Sequence, residues 1–161
     1  MTYGKDSPRL ELRGRLDSLN AEIIFLQAMS DNPEYNADIE EVREVINCLQ
    51  RCEAGEKVFA GPLTLWGIDG EEIHRRSHNP AKYYGLGHIL PHMDMGRGAS
   101  GINLLRTLTR EAELCAVRAF GHDDRLRICH ILNRLSSALY ILTYKYLPEG
   151  YNRVMHFGSP E

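Results

Sequence analysis

Residues 124–147 read DRLRICHILNRLSSALYILTYKYL. Within them Leu126, Cys129, Leu132, Leu135, Leu139 and Leu142 recur at steps of three and four. That period puts all six on one face of an α-helix, and the stretch is too long for an ordinary strand. Asp123–Asp124 suit a helix start after Gly121, and Pro148 with Gly150 ends it. Working back along the chain, residues 99–120 carry a second stripe through Leu105, Leu108, Ala112, Cys115 and Ala119. Residues 8–29 carry a third through Leu12, Leu16, Leu19, Ile23 and Leu26, opened by Ser7–Pro8 as cap and first turn. A fourth runs through Ile39, Val42, Ile46 and Leu49 between Pro33 and Gly55, with Asp38 and Glu40 at its positive end. Four long helices with weak strand signals predict an all-α bundle.

Residues 55–98 break this pattern. They hold eleven Gly and Pro and read as a long loop, with one short helix after Asp69, which makes five helices in all. This stretch also holds much of the chain's chemistry-capable content: His74, Ser77, His78, Tyr83, Tyr84, His88, His92 and Arg97. The tail from Tyr151 onward reads as irregular. At 161 residues with 43% hydrophobic and 25% charged side chains, the chain is expected to form a single domain over 1–161. A net charge of −3 gives no reason to expect a nucleic-acid partner. No apolar run reaches the length of a membrane span, and the polar N-terminus does not read as a secretion signal, so a cytoplasmic protein is expected. Cys48, Cys52, Cys115 and Cys129 form no CxxC and read as free thiols.

Candidate functional residues lie on the helices as well as in the loop. Arg106, Arg110 and Glu113 follow one another by four and three, so they share a face. Two adjacent guanidinium groups repel unless an anion or carboxylates lie between them, and arginine forks suit phosphate oxygens. The plain alternative is a solvated face with Glu113 paired to Arg110. Asn133 follows Leu132 of the core stripe and is expected to be partly buried, bonded to a neighbouring helix or to a ligand. Asp17 and Asn20 sit beside the first stripe and read, taken alone, as surface residues. His74 and His78 stand at i and i+4, but Arg75–Arg76 exclude an HExxH motif. No resident metal site is expected.

Taken together, these stretches resemble a known family. Lys5-Asp6-Ser7-Pro8-Arg9-Leu10-Glu11, followed by Leu16-Asp17-Ser18-Leu19-Asn20, resembles the KDxxRxExxGxxDELN stretch of PduO-type cobalamin adenosyltransferases. His88-Ile89-Leu90-Pro91 sits where that type has FILP. Leu104-Leu105-Arg106-Thr107 with Arg110 and Glu113 resembles its ARTxxRRxER helix, with Glu111 where the type has a second arginine. Asn133-Arg134-Leu135-Ser136 matches its NRLS. The EutT type, of ethanolamine utilisation, is the closer likeness. It shares the run His74-Arg75-Arg76-Ser77-His78-Asn79-Pro80, a histidine at His88, Gly96–Arg97, the stretch Asn103 to Thr107, and Asn133 to Ser137. The resemblance covers residues 5–147. It takes in neither the glycine-rich TGDxGxT phosphate loop of the PduO type nor the cysteine-rich N-terminal domain of the EutT type.

The resemblance implies an ATP:corrinoid adenosyltransferase of five-helix-bundle fold. Such an enzyme moves the 5′-deoxyadenosyl group of ATP to cobalt(I) of cobalamin and releases triphosphate. It implies Mg²⁺ beside the phosphates, and a homotrimer with sites between subunits. It also implies a cobalamin-dependent enzyme receiving the product and association with a bacterial microcompartment. By the same resemblance Arg106 and Arg110 act at the triphosphate. Asp17 pairs with an arginine, Arg106, across the interface. Lys5, Arg9, Glu113 and Asn133 belong to the ATP-binding set, and His88 lies at the corrin face. A corrinoid-binding or delivery module on the same bundle is the alternative, and a purely structural subunit is a third reading.

Overall fold

The first stripe forms α1 (Pro8–Met29), and the chain turns at Asn32 into α2 (Pro33–Gly55). Asn32 Oδ1 accepts from the amides of Glu34 and Tyr35 and so satisfies two of the unpaired donors at the start of α2. Ser7 stands at the N-cap of α1 but makes no side-chain cap bond; its carbonyl starts the helix, accepting from Glu11 N. The computed structural model of the chain describes Gly4 and residues 7–156.

The segment expected to be mostly loop is more ordered than its glycine and proline content implies. A two-residue hairpin, β1 (Thr64–Leu65) and β2 (Ile68–Asp69), turns through Trp66 and Gly67, both at positive φ. A bulky residue at positive φ is uncommon. Trp66 is held there because its backbone N–H donates to Glu41 Oε1 and its indole Nε1 to the Asp38 carbonyl. The expected short helix is α3 (Gly70–His78), capped by Asp69, whose carboxylate accepts from Glu72 N. A single further turn, α4 (Pro80–Tyr84), follows, and a 3₁₀ turn at Met93–Met95 leads into α5 (Gly96–Phe120).

The last helix, α6, spans Ile128–Lys145 rather than beginning at Asp124. Arg127 adopts a left-handed conformation and donates to the carbonyls of Phe59 and Gly61, which interrupts the helix one turn late. Asp124 still serves the helix start, since its carboxylate accepts from Cys129 N and His130 N. The tail is also less idle than its sequence implies. Val154 bridges Ile89 in antiparallel fashion, with Leu90 N donating to Arg153 O and Met155 N to His88 O.

Helix α5 packs chiefly against α6 and α1, α1 against α2, and α2 touches α6, which closes the bundle. Helix α3 covers one side of α6. Leu12, Leu16, Leu19 and Ile23 of α1 are fully buried against Ile39, Val42, Ile46 and Leu49 of α2, and Leu132, Leu135 and Leu139 of α6 share that core. Each such side chain contributes about 1.5–3 kcal/mol through burial. On α5 the buried face runs through Ile102, Leu105, Thr109, Ala112, Cys115 and Ala116; it keeps Leu105, Ala112 and Cys115 of the predicted stripe, adds Thr109, and leaves Leu108 and Ala119 only half-buried. Thr109 is hidden from a hydropathy reading, yet its hydroxyl donates to Leu105 O and leaves only the methyl to the core. Gly101 lets α1 approach α5 closely: a Cβ there would lie 2.9 Å from both Leu26 Cδ2 and Tyr35 Oη.

Candidate active site

On the side where α3 covers α6, the packing leaves a cavity of about 310 Å³. Helix α5 contributes Arg106 and Arg110, α6 contributes Ser136, Ser137 and Tyr140, α3 contributes Ser77 and His78, and the loop contributes His88. The volume lies at the lower end for a ligand site.

Arg106 is half-buried, and its Nε and Nη2 both donate to Asn103 Oδ1, at 3.2 and 3.1 Å. Burial, and then the neighbouring Arg110 charge, holds the Arg106 guanidinium below its ordinary pKa. Both causes disfavour the charged form that the residue nonetheless carries near neutral pH. Arg110 is exposed and has no hydrogen bond or ion pair with another described residue. The expected partner, Glu113, instead accepts from Asn133 Nδ2 at 3.0 Å, which ties α5 to α6 beside the cavity. Asn133 is exposed rather than partly buried. One residue along a helix is about 100° of rotation, which carries Asn133 away from the Leu132 core face.

His88 is placed from two sides. Its carbonyl takes the Met155 amide, and its ring stacks on Tyr140 with centroids 5.9 Å apart and planes at 20°. Its Nδ1 lies 2.9 Å from the Tyr140 hydroxyl, which also accepts from Ile89 N and lies 3.1 Å from the Tyr144 hydroxyl. Sequence reading did not single out Tyr140. The signal was present, because Asn133, Ser136, Tyr140 and Tyr144 succeed one another by three and four along one helix face.

Of the three serines at the cavity, Ser77 and Ser136 donate their hydroxyls to the carbonyls of His74 and Asn133 in their own helices. The helical pair His74 and His78 has each Nδ1 committed. His74 Nδ1 lies 2.7 Å from Arg134 Nη1 and so accepts from it, while His78 Nδ1 donates to the His74 carbonyl at 3.0 Å. Desolvation, then the Arg134 and His78 charges, push His74 below its ordinary pKa. Among the described residues no group of three or more His, Cys, Asp or Glu is arranged to hold a metal ion.

The remaining sequence candidates lie elsewhere. Asp17 is exposed on α1, does not line the cavity and forms no ion pair with another described residue. Arg9 lines a different cavity, with Phe120 and Leu126, and is engaged by Glu53 and Glu56. Lys5 lies outside the described residues.

A family model described as Cobalamin adenosyltransferase matches residues 2–146 of this chain. The chain belongs to the cobalamin adenosyltransferase family. Among curated relatives, the corrinoid adenosyltransferase EutT of Salmonella typhimurium is 34% identical over 142 residues, covering 86% of this chain and 52% of the relative. The EutT protein of Escherichia coli is 35% identical over 143 residues, with the same coverage. The chain spans about half the length of the curated relatives it matches. Two PduO-type ATP:corrinoid adenosyltransferase structures from Lactobacillus reuteri share the fold, both complexed with cobalamin and ATP. One, a phenylalanine-to-alanine variant, gives a TM-score of 0.71 at 17% identity, covering 97% of this chain and 90% of that one. The other, a phenylalanine-to-histidine variant, gives 0.69 at 19%, covering 95% and 90%. The all-α bundle expected from periodicity is therefore the fold of this cobalamin adenosyltransferase family member. No helix among the described residues is long and apolar enough to cross a membrane.

Proposed function

We propose that this chain is an ATP:corrinoid adenosyltransferase, transferring the 5′-deoxyadenosyl group of ATP to cobalt(I) of a corrinoid. The observation that carries the reading is the pair Arg106 and Arg110. They stand one turn apart at a cavity wall, Arg106 partly desolvated, with no carboxylate of the described chain between them. A polyphosphate supplies the missing negative charge, and two guanidinium forks match its oxygens.

In this reading cobalt(I) attacks C5′ of ATP with its own electron pair. The C5′–O bond breaks, and triphosphate leaves with the bonding electrons. The protein has no proton to move. Arg106 and Arg110 hold the phosphates and stabilise the charge that builds on the leaving oxygen. Glu113, through Asn133, braces α5 against α6 so that the two arginines keep their place against the α6 side of the cavity. His88 and Tyr140 supply the flat aromatic wall on which the corrin ring lies. Mg²⁺ bound with ATP would neutralise part of the phosphate charge, with no described side chain assigned to hold it.

A cavity of about 310 Å³ does not enclose ATP and a corrinoid together. We propose that a second copy of residues 1–161 completes it within a homotrimer, with Asp17 of one copy meeting Arg106 of the next and Lys5 reaching the phosphates. Arg9 in this reading supports α1 through Glu53 rather than touching ATP. Ethanolamine utilisation, in the cytoplasm and beside a microcompartment, is the proposed setting, with a cobalamin-dependent enzyme taking the product.

The test is anaerobic: purified chain, ATP, Mg²⁺ and chemically reduced cob(I)alamin, followed by visible absorbance. Loss of the cob(I)alamin band with growth of adenosylcobalamin, abolished in Arg110→Ala, is the expected result. No turnover, with a spectral change on adding cob(II)alamin, would replace this reading with a corrinoid-binding module.

A further inference from the structure

We infer that Tyr140 is a positioning residue that fixes the tautomer of His88, placing the ring's proton on Nδ1 and its lone pair on Nε2. Only the link to a corrinoid rests on the function proposed above; the tautomer itself is argued from the described hydrogen bonds around Tyr140.

The count begins at a peptide carbonyl, which has no proton to give. The Tyr144 hydroxyl lies 2.7 Å from Gly87 O and must donate to it. Its single proton is then committed, so across the 3.1 Å contact Tyr140 donates and Tyr144 accepts. The one proton of Tyr140 is committed in turn. Its oxygen keeps two acceptor positions. One takes the Ile89 amide at 3.2 Å, which has no alternative but to donate. The other meets His88 Nδ1 at 2.9 Å, and that contact is a hydrogen bond only if Nδ1 carries a hydrogen.

The surroundings give the count its force. Tyr144 is buried, its ring stacks on Tyr84 at 4.9 Å and meets Tyr140 edge-on at 5.6 Å. Burial raises the Tyr144 hydroxyl far above its ordinary pKa, so it keeps its proton at any working pH. With the other tautomer Tyr140 would donate to His88 Nδ1, and the two tyrosine oxygens would face each other at 3.1 Å in this low-dielectric cluster with no hydrogen between them. The bridge between Ile89 and Val154 holds the loop that carries His88 in register with Tyr140. The tautomer matters because His88 and Tyr140 line the same cavity as Arg106 and Arg110. An imidazole with its proton on Nδ1 presents a Lewis base at Nε2; the other tautomer presents an N–H donor there. For a corrinoid that difference separates an axial donor to cobalt from a ring that only packs.

The experiment uses the full ¹⁵N-labelled chain without ligand, read by long-range proton–nitrogen correlation of its imidazoles near neutral pH. His88 is assigned by its absence in His88→Gln. The expected wild-type pattern is a protonated-type shift at Nδ1 and an unprotonated-type shift at Nε2. Tyr140→Phe keeps the stacked ring and removes the acceptor, and is expected to lose the Nδ1–H pattern in favour of Nε2–H, the form preferred by free histidine. Tyr144→Phe is expected to give the same reversal by another route, because the Tyr140 proton loses its acceptor and turns to His88. An Nε2–H pattern in the wild type, or an Nδ1–H pattern that survives in Tyr140→Phe, would overturn the inference. Neither result depends on corrinoid turnover. A confirmed tautomer with no adenosyltransfer would therefore sink the proposed activity and leave the relay standing.

Discussion

Two arginine pairs stand at different places on this bundle, and they differ in what surrounds them. At the start of α1, Arg9 and Arg13 converge on Glu53 of α2, whose side chain is 1% exposed. Arg9 Nε and Arg13 Nε each take one carboxylate oxygen, at 3.0 and 2.6 Å, and Arg9 Nη2 adds the Glu53 carbonyl at 2.8 Å. Every charge there has a geometric partner, so the pair locks two helices together. On α5, Arg106 and Arg110 face each other's charge, with one amide oxygen and no carboxylate from the described chain. The chain tolerates that arrangement at some cost in stability. In the function proposed above, that unmatched charge is what a bound polyphosphate neutralises.

The comparison can be broken most sharply at Arg110. Replacing it by alanine is expected to lower adenosyltransfer by roughly 10²–10³-fold, as for removal of one preorganised charge. Stability in urea should stay within about 0.5 kcal/mol, because the side chain is exposed and has no ion pair with another described residue. A stability loss with activity intact would reverse the roles assigned to the two pairs.

The converse substitution is Glu53→Gln. It leaves one guanidinium of the first pair poorly matched and is expected to cost about 2 kcal/mol in urea unfolding, with kcat unchanged. A fall in kcat without loss of stability would place Arg9 at the phosphates after all.

Arg106→Leu sharpens the contrast further. Removing a half-buried charge that repels its neighbour is expected to raise stability by up to about 1 kcal/mol. ATP binding, measured by calorimetry, should be lost in the same protein.

The smallest effect belongs to a third, exposed arginine. Arg153 holds the Asp94 carboxylate below its ordinary pKa of 3.8, first by hydrogen bond, with His92 adding a lesser charge effect. A carboxylate lowered in the folded state adds stability above its unfolded pKa, and that stability fades as pH falls through the lowered value. The Tm difference between wild type and Asp94→Asn should therefore be small at neutral pH and vanish in acid below the ordinary aspartate range. Solvent screening keeps it small.

Much of the bundle was legible because helical periodicity is a local property. Leu12, Leu16, Leu19 and Ile23 were assigned to the core from spacing alone, and all four are fully buried. The α5 stripe was read less well, because a threonine whose hydroxyl returns to its own helix counts as polar in sequence and apolar in the core. The start of α6 was misplaced because Arg127 turns left-handed to reach carbonyls of Phe59 and Gly61, which no neighbouring residue announces. Arg106, Arg110 and His88 were candidates on spacing and family likeness, and the fold brings them to one cavity. Tyr140 went unread, since a tyrosine in an apolar helix looks like core until its hydroxyl partners are known.

By itself the sequence determined the four long helices and the short α3, though not α4, together with the stretch rich in glycine and proline and the residues able to meet an anion. Those follow from a 3.6-residue period and from side-chain chemistry, which neighbours a few positions apart decide. Tertiary structure alone decided which arginines are neutralised and which are not, and which atom of His88 holds the proton. Arg9 and Glu53 are 44 residues apart in the chain, and His88 and Tyr140 are 52 apart. Bonds across such separations exist only once packing has brought the helices together.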